Sequence, residues 1–594
     1  MTPAIDAVDV LVWGGGTGGA AAAIQAARAG ASTLLLTPGA WLGGMVSAAG
    51  VCCPDGNELT PWQTGLWGSL LRALEQNEET GLDHNWVSCF GYRPTTAEAI
   101  LQGWVAAEPH LQWWHGCTLL EVERQGDRIT AVLVEHQGAP CRLACKVVID
   151  GSDRGDLLPL AEAPFRLGWE AQEQWGEPSA PLRLRLDRED FFTTQPVQSP
   201  TWVVMAQLQS DAMPSRPMPL SPPFARASKA FGLERTITYG RLPGGLVMLN
   251  WPLHGNDWHH GLERAFAGDS RQQAELNAEM QAHSLRFATA LEDASNGWLK
   301  LGEAFPHASG SSAPWLAAMP YWREGRRLQG RHTVIEQELL PMGPGETMAP
   351  LPVDDGGSLV SIAVGNYAND HHYPGADWPL APKSCRWGGR WSGTPFCIPF
   401  GALLSREIVN LLAADKAFST SHMANGATRL QPLILNIGQA AGAAAALAVA
   451  SGQAPAALPV RLVQKRLIED HHAPAAVAPL WDTPWHHPHW RQRQLAAVDA
   501  PEKLSSNGLL RGSAAEPIWN LPSQRGEALF QGKLQRSAES SYQLLTQGGA
   551  LWPVITLEPA VNRWLANQSN GATVTLIGCL NPWGPWLRIT RLAG

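Results

Sequence analysis

The chain is 594 residues long, with 59 glycines, 46 prolines and a formal charge of −9. That length is several times the roughly 150 residues of one domain, and the Gly and Pro content stays well below the roughly 25–30% of low-complexity chains, so a large packed core is expected and disorder is excluded. The 44 Lys and Arg are outnumbered by 53 Asp and Glu, and without a basic stripe nucleic acid is not an expected partner.

The nine cysteines are scattered and form no C-x-x-C. Neither a disulfide framework nor a zinc site is indicated, and a reducing, cytoplasmic setting fits. The opening residues, MTPAIDAVDVLVW, lack the charged and long apolar regions of a secretory signal, so a folded strand is expected at once. That strand is Val8 to Trp13, an apolar run that stops in glycines. An Ala-rich helix is predicted from Gly18 to about Ala29, and a second strand over Ser32 to Leu36 completes a βαβ unit of about thirty residues with parallel strands.

Between strand and helix, Gly14-Gly15-Gly16-Thr17-Gly18-Gly19 satisfies G-x-G-x-x-G in the context this motif requires. Gly14 permits the sharp turn, Gly16 lets backbone approach a pyrophosphate, and Gly19 lets helix and strand pack closely. The helix start adds N–H donors and a positive dipole end. The motif alone fits NAD as well as FAD. Thr37 stands at the end of the second strand, where an acid usually takes the ribose. Its hydroxyl can bond a ribose oxygen but forgoes the charge-assisted bond, which leaves NADP open.

Farther on, a helix is predicted over Ala97–Ala107, followed by β runs at Leu111–Cys117, Leu119–Arg124, Ile129–His136 and Cys141–Ile149, with turns at Gly126-Asp127 and Gln137-Gly138. The middle of the chain, about 160 to 400, is rich in Pro, Trp and His, and Asp211 to Pro223 reads as a loop. No ionised side chain lies between Arg429 and Arg461, yet the stretch is mostly Ala and Gly and contains Asn436 and Gln439. It therefore reads as a buried helix packed closely on a sheet, and no membrane partner is expected. The Pro/Trp/His cluster from Pro474 to Trp490 marks a boundary.

Five segments in order carry a family resemblance: WGGGTGGAAAA, WLGGM, VVIDGSDRGDLLPLA, YWREGRRLQG and AFSTSHMANGATRLQPLILNIGQAAGAAAALA. Over about 1–470 the chain resembles the FAD-dependent oxidoreductases of the glutathione-reductase type. The resemblance implies an α/β fold with a Rossmann-like FAD-binding domain built from 1–160 and 401–470. A β-rich substrate domain, 161–400, would be interleaved with it, and a small accessory region would occupy 475–594. It implies FAD as cofactor, held by Gly14, Gly16, Thr17, Gly18, Gly19 and Thr37. Gly43, Gly44 and Met45 would pass beside the flavin, Asp150, Gly151 and Ser152 would lie near the adenosine, and Arg429 would add a contact. Gly438, Gln439 and Ala440 would start a helix whose N–H groups face the flavin's pyrimidine edge. Ala414-Asp415 departs from the Gly-Arg pair common in the family.

For proton transfer the candidates are His422, and His371 with Asp370 as an orienting carboxylate, because an imidazole near pKa ~6.5 can accept a proton as hydride leaves a neighbouring carbon. Arg326, with Arg323 sharing a helical face, could hold a carboxylate or the cofactor phosphates. No His or Asp cluster has metal-ligand spacing, so no metal is expected. The expected function is hydride transfer between a small organic substrate and the flavin N5. The alternatives are a dinucleotide-binding protein without turnover and a polysaccharide- or sugar-processing enzyme. The oligomeric state is not legible.

Overall fold

The apolar runs become neighbouring strands of one sheet. In a computed structural model, which describes residues 7–214, 217–305, 313–375, 378–511 and 521–593, β1 (Ala7–Trp13) and β2 (Thr33–Thr37) pair in parallel and are joined by α1 (Thr17–Arg28). Both faces of these strands are covered, which is why they read as continuous apolar runs and not as alternating ones. β3 (Leu111–His115) lies parallel outside β2. β4 (Thr118–Gln125), β5 (Arg128–His136) and β6 (Ala139–Asp150) follow as antiparallel hairpins. Their turns fall at Gly126, Gln137 and Gly138, all with positive φ. The far half of β6 returns to run parallel with β1, and β7 (Leu411–Ala413) adds to β6 from hundreds of residues away. The sheet order β3-β2-β1-β6-β5-β4, with β7 on β6, is that of an α/β dinucleotide-binding domain.

α2 (Gln431–Ser451) is the charge-free stretch. It is long and apolar enough to cross a membrane, but 83% of its most apolar window is buried inside the protein. It packs on α1 through its glycines: a Cβ on Gly438 or Gly442 would collide with the carbonyls of Gly18 and Ala22. The expected interior helix is thus the partner of the first one.

The middle of the chain contributes an antiparallel sheet of Val204–Leu208, Leu246–Leu249 and Leu299–Leu301. A helix, Ser270–Ala294, is closed at its start by a reciprocal Asp269–Gln272 capping box. The hairpin Ser384–Trp387 and Arg390–Gly393 also belongs here. The loop expected over Asp211–Pro223 has no helix or strand in its described part, and residues 215 and 216 of it lie outside the described residues.

One hydrophobic core runs from Val8 through Ala475, Leu480, Trp490 and Leu504. The boundary expected near 475 therefore falls inside it. Ala475 N–H donates to Leu467 O at 2.9 Å, and Gly65 N–H to Pro474 O at 2.7 Å. A second core, which includes Leu534, Leu544, Leu576 and Ile589, belongs to a closed barrel. Its elements are β8 (Glu527–Ala538), β9 (Ser541–Thr546), β10 (Leu551–Thr556), α3 (Pro559–Ala566), β11 (Thr573–Asn581) and β12 (Trp586–Leu592). The order β8-β9-β10-β12-β11, with β10 and β12 parallel and the helix after the third strand, is that of an OB barrel. It docks through Ile555, Leu557 and Trp586, which join the main core, and through a buried pair: Arg588 Nε and Nη2 donate to the two carboxylate oxygens of Asp83 at 2.9 and 2.6 Å.

Candidate functional site

The glycine loop opens a groove at the C-terminal ends of β1, β2 and β6. Gly14 closes β1 at φ +94°, a left-handed value that a side chain would strain. A Cβ on Gly16 would lie 2.8 Å from both Gly151 O and Asp415 Oδ2. The groove measures 430 Å³ and is lined by Gly14–Gly16, Thr37–Trp41 and Ser152–Arg154. Glycine backbone at a helix start with no acidic residue of its own in the first turn of α1, and Arg154 on the groove, suit the phosphates of a dinucleotide, while the Gly18 N–H is taken by Asp415 Oδ2. These residues fit FAD.

Around the loop, side chains expected to touch the cofactor are tied into the chain's own network. Thr17 Oγ1 donates to Gly43 O at 2.8 Å and accepts from Met45 N at 3.2 Å, while Gly43 N–H donates to Gly15 O at 2.8 Å, so the Gly43-Gly44-Met45 turn is pinned to the glycine loop. Thr37 lines the groove, but its hydroxyl donates to Gly39 O at 2.6 Å and accepts from Trp113 Nε1 at 2.9 Å. Asp150 braces its own loop by accepting from Ser152 N at 3.0 Å and Leu157 N at 3.0 Å; burial pushes its carboxyl up to about 7. Ser152 reaches the groove, and Gly151 packs on Gly19. At the departure from the family pattern, Asp415 Oδ2 accepts from Gly18 N at 2.7 Å. Lys416 Nζ donates to Asp153 and, at 3.2 Å, to Asp415.

The expected helix start at Gly438 is corrected. α2 begins at Gln431 with Pro432 in its first turn, a position where proline's missing N–H costs nothing. Seven residues, or ~10 Å of helix, therefore precede Gly438. Gln439 is structural: its Oε1 accepts from Leu66 N at 2.9 Å and its Nε2 donates to Ala473 O at 2.7 Å. Ala440 is wholly buried. The Gln-Pro pair was the sequence signal for the true start.

A second cavity, of 510 Å³, lies beside the groove. Ala48, Met319 and Trp322 face the groove, whereas Val51, Tyr321 and Arg323 face the cavity, so the same two segments wall both. In the cavity His372 stands between carboxylates, with Nε2 at 2.8 Å from Asp370 Oδ2 and Nδ1 at 3.3 Å from Asp257 Oδ2. Arg429 donates to Asp370 Oδ2 at 3.1 Å and to Tyr321 Oη at 2.6 Å. Arg323 lies 3.1 Å from Asp257 Oδ1. Burial alone would raise both acids. Instead the His372 imidazole and Arg429 hold Asp370 well below the usual carboxylate range, and Arg323 with His372 does so for Asp257. Asp55 also lines the cavity, and among the described residues nothing hydrogen-bonds its carboxyl. Burial, then Glu58 and Asp370, pushes it up to about 8.

The expected histidines are elsewhere. His371 turns away from the cavity that its neighbour His372 faces. Its Nε2 donates to Met423 O at 3.1 Å, and its Nδ1 is 2.8 Å from Tyr373 Oη, which is 2.5 Å from His422 Nε2. His422 Nδ1 lies 2.8 Å from Glu324 Oε1, and Trp169 covers the ring at 3.9 Å. Burial pushes His371 down to about 3 and His422 well below its usual value. These two form a bracket behind the cavity, with His422 buried and His371 partly so. Arg326 shares no helical face with Arg323; it donates to Phe266 O at 2.7 Å and Arg154 O at 3.3 Å. Arg429 and Asp370 meet at the cavity, not at the groove. Sequence reading passed over Asp55, although the Pro54-Asp55-Gly56 turn that presents it was visible. Among the described residues no His, Cys, Asp or Glu group is arranged to hold a metal.

No curated protein matches the chain. Among solved structures, OxyS anhydrotetracycline hydroxylase from Streptomyces rimosus is 16% identical over 34% of this chain and 38% of its own, with a TM-score of 0.22. L-proline dehydrogenase from P. horikoshii is 15% identical over 28% of this chain and 25% of its own, with a TM-score of 0.16. The chain thus spans well under half the length of either. A triple mutant of the flavin-dependent brominase Bmp2 is 9% identical over 76% of this chain and 82% of its own, with a TM-score of 0.34. A sequence model of the family described as FAD dependent oxidoreductase matches residues 9–467. With that match and the glycine groove that suits the cofactor, the chain belongs to the FAD-dependent oxidoreductase family, enzymes that work with FAD.

Proposed function

We propose that the protein oxidises or reduces a small organic substrate, held in the 510 Å³ cavity, by hydride exchange with the N5 of bound FAD. The observation that carries this reading is Asp55, a carboxyl that faces this cavity without a protein partner among the described residues, one wall away from the cofactor groove. When bound, FAD supplies the hydride acceptor or donor. Gly14–Gly16 and Arg154 would hold its phosphates, and the N–H end of α2 at Gln431 would meet negative charge. In the oxidative direction the carbon–hydrogen bond breaks with its electron pair, the carbonyl forms, and the hydroxyl proton passes to the Asp55 carboxylate. A group near pH 8 is matched to that task. Asp370, His372, Asp257, Arg323 and Arg429 form a fixed ion-pair frame beside it. His371, His422 and Arg326 act behind that frame and the groove as supports. Nine unpaired cysteines suit a reducing, cytoplasmic compartment.

The test is anaerobic mixing of the purified protein with a panel of alcohols and amines. Substrate should bleach the flavin, and deuterium on the reacting carbon should slow the bleaching. Asp55→Asn should lower the reduction rate by about 10²–10⁴-fold with flavin content unchanged. Reduction at the wild-type rate in that variant removes Asp55 from the chemistry, and a protein whose flavin no substrate bleaches, and whose pre-reduced flavin no carbonyl or imine reoxidises, is a binder without turnover.

A further inference from the structure

The cavity's lining says what kind of substrate it takes, and this inference rests on reading the cavity as the substrate site. Its guanidinium groups are already matched: Arg390 lies 3.0 Å from Glu58, Arg429 3.1 Å from Asp370, and Arg323 3.1 Å from Asp257. An anionic ligand would have to compete with these carboxylates for each cation. A cationic ligand fares no better, because Asp257, Asp370 and Glu58 are engaged by Arg323, His372, Arg429 and Arg390, and burial disfavours the charged form of Asp55. Arg235 also covers one face of Trp86 at 4.5 Å.

What remains is uncharged recognition. Trp86, Phe231, Tyr239 and Trp251 form a continuous aromatic wall with ring centroids 5.1–6.2 Å apart. Trp391 stands on the hairpin beside it and is 65% exposed. Uncharged polar groups share the cavity: Asn250, Asn366, Ser384, Ser392 and Gln431. Of these, Gln431 has an Oε1 that lacks a partner among the described residues. A flat phenol would use the aromatic wall and leave such groups without partners, which costs binding. A ring with C–H bonds on its faces and hydroxyls around its rim satisfies both. We propose that the cavity binds an uncharged saccharide, its C–H face on the aromatic wall and its hydroxyls bonded by Asp55, Asn250 and Gln431.

The purified flavoprotein at pH 7 is titrated, by tryptophan fluorescence and calorimetry, with D-glucose, D-galactose, xylose and cellobiose. D-glucuronate, choline and phenol serve as the anionic, cationic and flat counterparts. The best neutral sugar should bind at least about tenfold more tightly than any of the three, which is ~1.4 kcal/mol of preference. Trp391→Ala, at an exposed position that leaves folding intact, should weaken the sugar by about threefold to tenfold. Glucuronate, choline or phenol binding as well as the best sugar overturns the assignment, as does failure of all four sugars to bind. A sugar whose affinity is unchanged by both Trp391→Ala and Trp251→Phe binds elsewhere and also overturns it. Flavin absorbance is read in the same samples. A sugar that binds but neither bleaches the flavin nor, as its lactone, reoxidises the reduced flavin upholds the ligand class and defeats the hydride reading; bleaching by a charged or flat probe does the reverse.

Discussion

Tyr373 holds together two histidines that the sequence separates by fifty residues. Because His371 Nε2 faces the Met423 carbonyl at 3.1 Å, that nitrogen must carry the proton, and its Nδ1 must accept from Tyr373. Tyr373 Oη then accepts from His422 Nε2, and one proton is left between His422 Nδ1 and Glu324 Oε1. Burial pushes Glu324 up to about 7 and His422 down, which favours the proton on the acid, while Arg327 Nε at 3.2 Å from Glu324 Oε1 opposes it. Tyr373→Phe leaves two buried ring nitrogens unpaired and should cost about 1–3 kcal/mol in chemical denaturation. Glu324→Gln keeps a donor toward His422. The folded pKa of Glu324 is raised from the ordinary 4.5 by burial, with Arg327 and Arg429 nearby to oppose it. Wild-type stability relative to Glu324→Gln should therefore fall as the pH rises from about 4.5 to about 7. Melting temperatures of both proteins at pH 5 and pH 8 check the sign. A difference that grows toward high pH would mean that the acid is ionised and paired.

Two helices that start at the same end of the sheet set the distance between glycine loop and cavity. α1 begins at Thr17 and α2 at Gln431, and they touch where Gly438 meets Gly18. The same contact that packs the helices therefore holds the phosphate loop in shape. Gly438→Val would overpack it, with an expected loss of about 1–3 kcal/mol and of bound flavin. Gly16→Leu should give nearly colourless protein with some loss of stability, because its Cβ would press on Gly151 O and Asp415 Oδ2 and shift the glycine loop that lines the groove. Absorbance at the flavin band against protein concentration, with circular dichroism as the control for folding, separates the two outcomes. Full flavin in Gly16→Leu would mean that the phosphates lie elsewhere.

At the scale of the molecule, the barrel reaches the 510 Å³ cavity through one hairpin. Arg390 pairs with Glu58 in the cavity wall at 3.0 Å and stacks on Trp586 of the barrel at 5.3 Å. A chain ended at Arg511 should stay yellow, since the groove's residues all precede it, and should bind substrate poorly because Arg390 loses its support. Flavin loss from the folded truncation would tie the barrel to the cofactor site. Arg588→Ala leaves Asp83 buried without its partner and should cost about 3–5 kcal/mol, read as a lower unfolding midpoint.

The first strand, the glycine turn, the helix after it, the β hairpins between 111 and 150 and the buried charge-free helix are all legible in the residues alone. Each depends on a local period or on glycine's backbone, and those are properties of short segments. The resemblance and the glycine motif also pointed to the turn that opens the 430 Å³ groove. The helix start at Gln431 was within reach of local reasoning, through its proline. Other features were not: that His372 and not His371 faces the cavity, that Asp55 is left unpaired there, that Arg429 meets Asp370, and that residues 475 to 504 join the main core while a separate barrel begins at Glu527. Each of these is settled by contacts between residues far apart in the chain, such as Asp257 with His372 and Asp83 with Arg588. A side chain's burial and charge partners exist only once the chain has folded, so tertiary structure alone decided them.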